Sequence, residues 1–201
     1  MKTYTFADRD SWLQARQGKI TGSKLGGIVV KRGTGKKIGF WELCAERLGI
    51  PADDESAMAR GQRLESDGVD AFMLATGKQV DTSLVLWARD DNESIALSPD
   101  GFIGDEEAVE VKCLSSARHI EALVTGEVPS DYEFQVLQYF IVNEKLKTLW
   151  LVFYDPRILA KPLFIIEVKR EDVQEDVQKY LEYQRQTLVE IDEVVLRLSN
   201  F

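Results

Sequence analysis

Two carboxylates and a lysine lie close together in one stretch and are the first residues to examine for chemistry. Pro99-Asp100 is followed by nine residues and then by Glu110-Val111-Lys112. On a strand, residues two apart project from the same face, so Glu110 and Lys112 stand side by side if this segment is extended. A turn that returns Asp100 beside them gathers two carboxylates and an ammonium. Two carboxylates plus a main-chain carbonyl are hard oxygen donors suited to Mg²⁺. The adjacent lysine can stabilise developing negative charge or help deprotonate an attacking water. Together these are the minimum set for hydrolysing a phosphodiester. As a bare pattern, PD followed by ExK is weak, and a turn aspartate beside a surface ion pair is the alternative. The apolar surround of residues 108–113 (AVEVKC) counts against that alternative, because an ion pair is costly to bury there.

The elements that must position these residues are read from periodicity. The first third reads helical. Asp8 or Asp10 is an N-cap for a first helix stopped by Gly18, Thr21 or Ser23 starts a second, and residues 40–49 form a third. Residues 56–76 predict a longer amphipathic helix closed by Gly77. The pattern then changes. VDTSLVLWA (80–88) is rich in β-branched and aromatic residues and predicts a strand, and two more strands are expected around the SPDG and IGDEE turns. Residues 131–145 return to a helical pattern. TLWLVFYD and PLFIIEVK are apolar runs of the length of buried strands, and the last thirty residues predict an acidic amphipathic helix. No repeat or linker divides the chain, so one domain over 1–201 is expected, an α/β core with a mixed sheet flanked by helices.

Composition narrows the partners. The 201 residues are 44% hydrophobic and 29% charged, which excludes a disordered acidic tail or a collagen-like fibre. There is no apolar run long enough to span a membrane and no apolar leader in MKTYTFADRD, so a cytoplasmic protein is expected. Cys44 and Cys113 have no metal-ligand spacing and suit a reducing compartment. A net charge of −9 argues at first against nucleic acid. That average hides an asymmetry: residues 11–40 contain no acid and carry +7, leaving −16 for the rest. The stretch 31–37 (KRGTGKK) reads either as a solvated surface loop or as a phosphate-contacting face on an acidic body.

Further segments, taken in order, carry a resemblance. They are WLQARQGKITGS (12–23), GQRLE (61–65), RDD (89–91), SPDG (98–101), VEVKC (109–113), FQVLQY (134–139) and YDPR (154–157). In order and nearly in spacing they resemble the phage lambda exonuclease and YqaJ-type viral recombinase family, whose fold is the PD-(D/E)XK restriction-endonuclease-like core. The resemblance implies a Mg²⁺-dependent 5′→3′ exonuclease that degrades one strand of linear double-stranded DNA and leaves 3′ overhangs for phage-type recombination. It implies two Mg²⁺ per site, for which Mn²⁺ can substitute. By this resemblance Asp100, Glu110 and the Val111 carbonyl hold the first metal. Asp90 shares a second with Asp100, with Asp91 one position away as the alternative. Glu65 sits over the metal and the attacking water, Lys112 is the catalytic lysine, and Gln135, or else Gln138, contacts water or substrate. Arg16, Ser23 and Thr21 resemble the pocket for the 5′-terminal phosphate, with Lys31, Arg32, Lys36 and Lys37 as further DNA contacts. Met58 stands where the family has an apolar wedge against the terminal base pair. Expected partners are 5′-phosphorylated linear duplex DNA, a single-strand annealing protein, and further copies of the chain in a ring-shaped trimer.

Other features read more simply. His119 is expected to be structural or on the surface, and Arg118 to lie on the surface or on a DNA backbone. Two rivals remain: a restriction- or repair-type endonuclease on the same fold, and a non-catalytic DNA-end-binding protein.

Overall fold

Gly77 ends the first helix that is complete in the structure, a computed structural model. It describes residues 8, 10, 11, 38, 41, 45, 48–50, 57–93 and 95–199, with the backbone alone at 57–59, 62, 190–192 and 194–199. The basic segment that holds Arg16, Thr21, Ser23, Lys31, Arg32, Lys36 and Lys37 lies outside the described residues, as does the side chain of Met58. Of the two candidate first caps, Asp8 serves: it accepts from the Ser11 amide at 2.7 Å and the Ser11 hydroxyl at 2.9 Å. Helix α1 (Ala57–Thr76) buries Leu64, Val69 and Phe72. Gly77, at φ 72°, donates its amide to the Met73 carbonyl at 2.9 Å, a left-handed cap that glycine adopts without Cβ strain.

The expected strand over 80–88 is much shorter in the structure. Only β1 (Trp87–Ala88) is strand, paired antiparallel with β2 (Ala96–Leu97), while Asp81 makes a single bridge to Phe102. Leu84 and Leu86 are exposed. β-branched composition favours a strand only where a neighbour accepts its ladder, and no described residue does so at 82–86.

The main sheet has the order β3-β4-β5-β6, formed by Gly101–Ile103, Glu107–Lys112, Thr148–Tyr154 and Leu163–Lys169. β3 and β4 are antiparallel. β4 and β5 begin at the same end, where the Thr148 amide donates to Glu106, so they run parallel. β5 and β6 form a hairpin closed at Asp155 with Pro162 and at Arg170 with Lys147. The sheet is therefore mixed, as expected. β5 is central, with Leu149, Leu151, Val152 and Phe153 fully buried. β6 lies at the edge and buries only Val168, although its apolar run reads like that of β5. Helix α2 (Ser116–Thr125), a 3₁₀ turn (Ser130–Tyr132) and α3 (Glu133–Val142) connect β4 to β5, and α4 (Arg170–Ser199) ends the chain. No described helix is long and apolar enough to cross a membrane.

The chain divides into two compact units. One comprises 1–64, 113–127 and 153–164. Its core joins Trp41, Ala45 and Ile50 to Ala117, Ile120 and Ile158. Within it Asp155, at 1% exposure, accepts the Ser116 hydroxyl and the Arg157 Nε at 2.9 Å, which ties the start of α2 to the end of β5. His119 is buried with Nε2 3.2 Å from the Lys161 carbonyl, and burial lowers its pKa. Of the two expected placements, structural or surface, it takes the buried one.

The other unit comprises 65–112, 128–152 and 165–201. Glu107 ties it together. Burial raises the pKa of that carboxyl, but Lys78 and the Trp150 indole N–H, at 2.7 and 2.6 Å, outweigh this and hold it low. Helix α3 has no basic residue in its last turn. Two arginines from elsewhere serve its carbonyl end. Arg89 donates to Ile141, and Arg170 donates to Phe140 and Asn143 at 2.9 and 2.6 Å. Cationic donors there satisfy orphan carbonyls and match the helix dipole.

Gly101 follows Asp100 for a packing reason. A Cβ there would stand 2.4 Å from Val80 Cγ1 and 3.4 Å from the Asp81 carbonyl. Gly101→Ala is expected to lower stability by about 1–3 kcal/mol through overpacking. Urea unfolding measures this, and an unchanged midpoint would show that Val80 yields freely.

Candidate active site

Glu110 lies in the middle of β4 between Val109 and Val111, at 3% exposure. A carboxylate so enclosed needs donors, since unpaired burial costs several kcal/mol. Among the described residues, three side chains supply them. Lys112, two residues along the same strand face, donates from Nζ to Oε1 at 2.6 Å. Gln135 on α3 donates from Nε2 to the same oxygen at 2.6 Å. The Tyr139 hydroxyl donates to Oε2. Positions 135 and 139 are one helical turn apart, so one face of α3 delivers both donors. The Lys112 ammonium also stands 4.8 Å from the centre of the Tyr132 ring, which holds it over β4 from the 3₁₀ turn.

Asp100 joins this group from the β2–β3 turn. Its Oδ2 accepts the Val111 amide at 2.8 Å, which places a second carboxyl beside the Glu110 strand. Burial, with the charge of Glu110 next in weight and Glu65 adding to it, pushes the Asp100 pKa up to about 7. The Val111 amide and Lys112 oppose that rise without cancelling it. Like carboxylates held together in a partly dry site favour a proton or a cation between them. The donors are hard oxygens, and among the described residues two carboxylates share the one ammonium of Lys112, so the residues fit a divalent cation such as Mg²⁺. Among the described residues, however, no three such side chains converge closely enough to hold an ion by themselves. Glu65, exposed on α1, adds to this group through its charge, which helps raise the pKa of Asp100.

The remaining expected residues are placed as follows. Asp91 pairs with Arg89 at 2.7 Å and with Arg185, and these two arginines lower its pKa well below the carboxylate range. Asp90 beside it is exposed, on the wall of a groove of about 670 Å³ that Trp87, Phe102 and Arg185 also line. Of the two carboxylates, only Asp91 is held in ion pairs with described residues. Gln138 bonds to the Ala96 carbonyl and to Gln184 at 3.3 and 2.7 Å, so of the two glutamines Gln135 is the one at Glu110. Arg118 pairs with Glu121 at 2.9 Å. Tyr139 carries no role in the sequence reading, although its spacing from Gln135 puts the two on one helix face. Inside the run EFQVLQYFIV it reads as core, which its 0% exposure also makes it. Burial, reinforced by the charge of Glu110, raises its pKa, so the phenol remains a donor.

The same architecture occurs in known structures. Two crystal structures of LHK-Exo, an alkaline exonuclease from Laribacter hongkongensis, one of them in complex with dAMP, superpose with a TM-score of 0.54. Each is 24% identical to this chain, and the match covers 91% of it and 100% of LHK-Exo. The shared fold is the PD-(D/E)XK type, with a mixed sheet flanked by helices. No curated protein matches the sequence. The model of the YqaJ-like viral recombinase domain matches residues 11–145. That span is more than half of the chain, and the protein belongs to the YqaJ-like viral recombinase family.

Proposed function

We propose that this chain, acting as one catalytic domain over 1–201, is a Mg²⁺-dependent 5′→3′ exonuclease that degrades one strand of linear duplex DNA and leaves 3′ overhangs for recombination. The observation that carries this reading is the buried Glu110 with Lys112 beside it and Asp100 folded against the same strand. Asp100, Glu110 and the Val111 carbonyl would hold the first divalent cation, Asp90 would share a second with Asp100, and Glu65 would sit over the metal and the attacking water. Bound there, the cations supply Lewis-acid polarisation of the scissile phosphate. Lys112 offsets negative charge that builds on the phosphate, and Gln135 orients water or the phosphate beside Glu110. Arg16, with Ser23 and Thr21, holds the 5′-terminal phosphate, since a guanidinium can grip it with two parallel hydrogen bonds. That anchor sets the polarity. Lys31, Arg32, Lys36 and Lys37 follow the DNA backbone, and Met58 wedges the terminal pair. The family supports DNA as the substrate. A cytoplasmic ring-shaped trimer working beside a single-strand annealing protein completes the reading.

Digestion of end-labelled linear duplex in Mg²⁺, with a closed circle as control, tests this directly. The linear substrate is expected to shorten from its 5′ ends while the circle survives, and cleavage of the circle would favour the endonuclease. In the same assay Glu110→Gln and Lys112→Ala are expected to lose about 10²–10⁴-fold in rate while retaining DNA binding. Undiminished rates in both variants would favour a non-catalytic end-binding protein.

The raised pKa of Asp100 gives a pH test. A carboxyl whose folded pKa is about 7, against an ordinary 3.8, stabilises the metal-free fold fully below about pH 4 and loses that contribution as pH rises to 7. A cation binds the ionised form and reverses the loss. Adding Mg²⁺ is therefore expected to raise the melting temperature more at pH 8 than at pH 5.5, and equal shifts would count against a cation at Asp100.

Arg16→Ala is expected to remove the preference for 5′-phosphorylated over 5′-hydroxyl ends. Equal rates of the unaltered protein on both ends would take that role from Arg16.

A further inference from the structure

We propose that Tyr139 is a positioning residue that fixes the Glu110 carboxylate for cation uptake, an inference that rests on the metal-dependent reading above. The three donors to Glu110 differ in their freedom. Lys112 and Gln135 both donate to Oε1, and both are partly exposed. Each can leave that oxygen for solvent, substrate or a phosphate while the other remains. Tyr139 is the one described donor to Oε2, and its side chain has no such freedom. It is fully buried on α3, with its ring edge-on to Trp87 at 6.4 Å and 86°. The carbonyl end of its helix is held by Arg89 and Arg170.

Geometry follows from this division. A carboxylate held at both oxygens has its plane fixed, whereas one held only at Oε1 can turn about its terminal bond. Oε1 is the oxygen with exchangeable partners and so the one open to a cation. Tyr139 keeps Oε2 in place while that exchange occurs. Groups that orient metal ligands in this way set affinity as well as rate.

Tyr139→Phe keeps the ring and its packing and removes only the hydroxyl. Calorimetric titration with Mn²⁺ on the full chain is expected to show affinity weakened about 10–100-fold, with kcat reduced over a similar range. KM for duplex DNA is expected to be unchanged, a split that a merely structural defect would not produce. In a Glu110→Gln background the same substitution should bring no further loss of Mn²⁺ affinity, because its effect passes through Glu110. A Tyr139→Phe protein with a native circular dichroism spectrum and unaltered Mn²⁺ affinity would overturn the proposal. If that variant does not fold, Gln135→Leu decides. With Tyr139 and Lys112 still in place its Mn²⁺ affinity should stay near that of the parent, and a loss as large as that of Glu110→Gln would overturn the proposal. Unaltered protein that binds Mn²⁺ through Tyr139-held Glu110 yet cleaves no DNA would sink the nuclease reading alone and support this one.

Discussion

Burial of the Glu110 carboxylate is the constraint from which much of the 65–112, 128–152 and 165–201 unit follows. At 3% exposure and flanked by Val109 and Val111, this group cannot rely on water. Its own strand supplies one donor, Lys112, because the pleat repeats every two residues. The other two must come from another element, which requires α3 to lie against β4 with Gln135 and Tyr139 facing it. A helix placed for that purpose exposes its carbonyl end to the protein rather than to solvent. Arg89 and Arg170 answer this second demand. Each polar group near the site therefore serves another, and an apolar substitution in the chain of contacts leaves a buried partner unmatched.

Much of this was legible in the sequence where the interactions are local. Alternation along β4 places Glu110 with Lys112, and Gly77 marks the end of α1 to the residue. The family resemblance named Gln135 or else Gln138, and the hydrogen bond to Glu110 belongs to Gln135. Features set by distant partners were not legible. The Arg89 and Arg170 contacts bridge 52 and 30 residues, and nothing in either local sequence marks them. β5 and β6 read alike because an apolar run reports hydrophobicity and not position in the sheet. Residues 82–86 have strand composition but no described partner. Tyr139 was hidden because its ring belongs to the core and only its hydroxyl belongs to the site.

The acidity of the chain is sorted rather than diffuse. Asp91 is held by Arg89 and Arg185, Glu107 by Lys78 and Trp150, and Asp155 by Arg157 and Ser116. These carboxylates are fixed in structural pairings. Asp100 is different, because its strongest neighbours are other acids and its own burial. A net charge of −9 thus says little about whether phosphate can approach. What matters is which carboxylates already have a cation of the protein's own and which do not.

The capping of α3 by two arginines also makes the helix a lever. Ten residues at about 1.5 Å each give a rod of about 15 Å, so a tilt of about 4° at the clamped end moves the other end by about 1 Å. Displacements of that size are enough to change a rate by about 10²-fold. Arg89 sits beside β1 and Arg170 at the β6–α4 junction, both well away in sequence from the donors they stabilise. A change that loosens either guanidinium would thus act as an angular error at Glu110, with neither arginine in contact with that carboxylate.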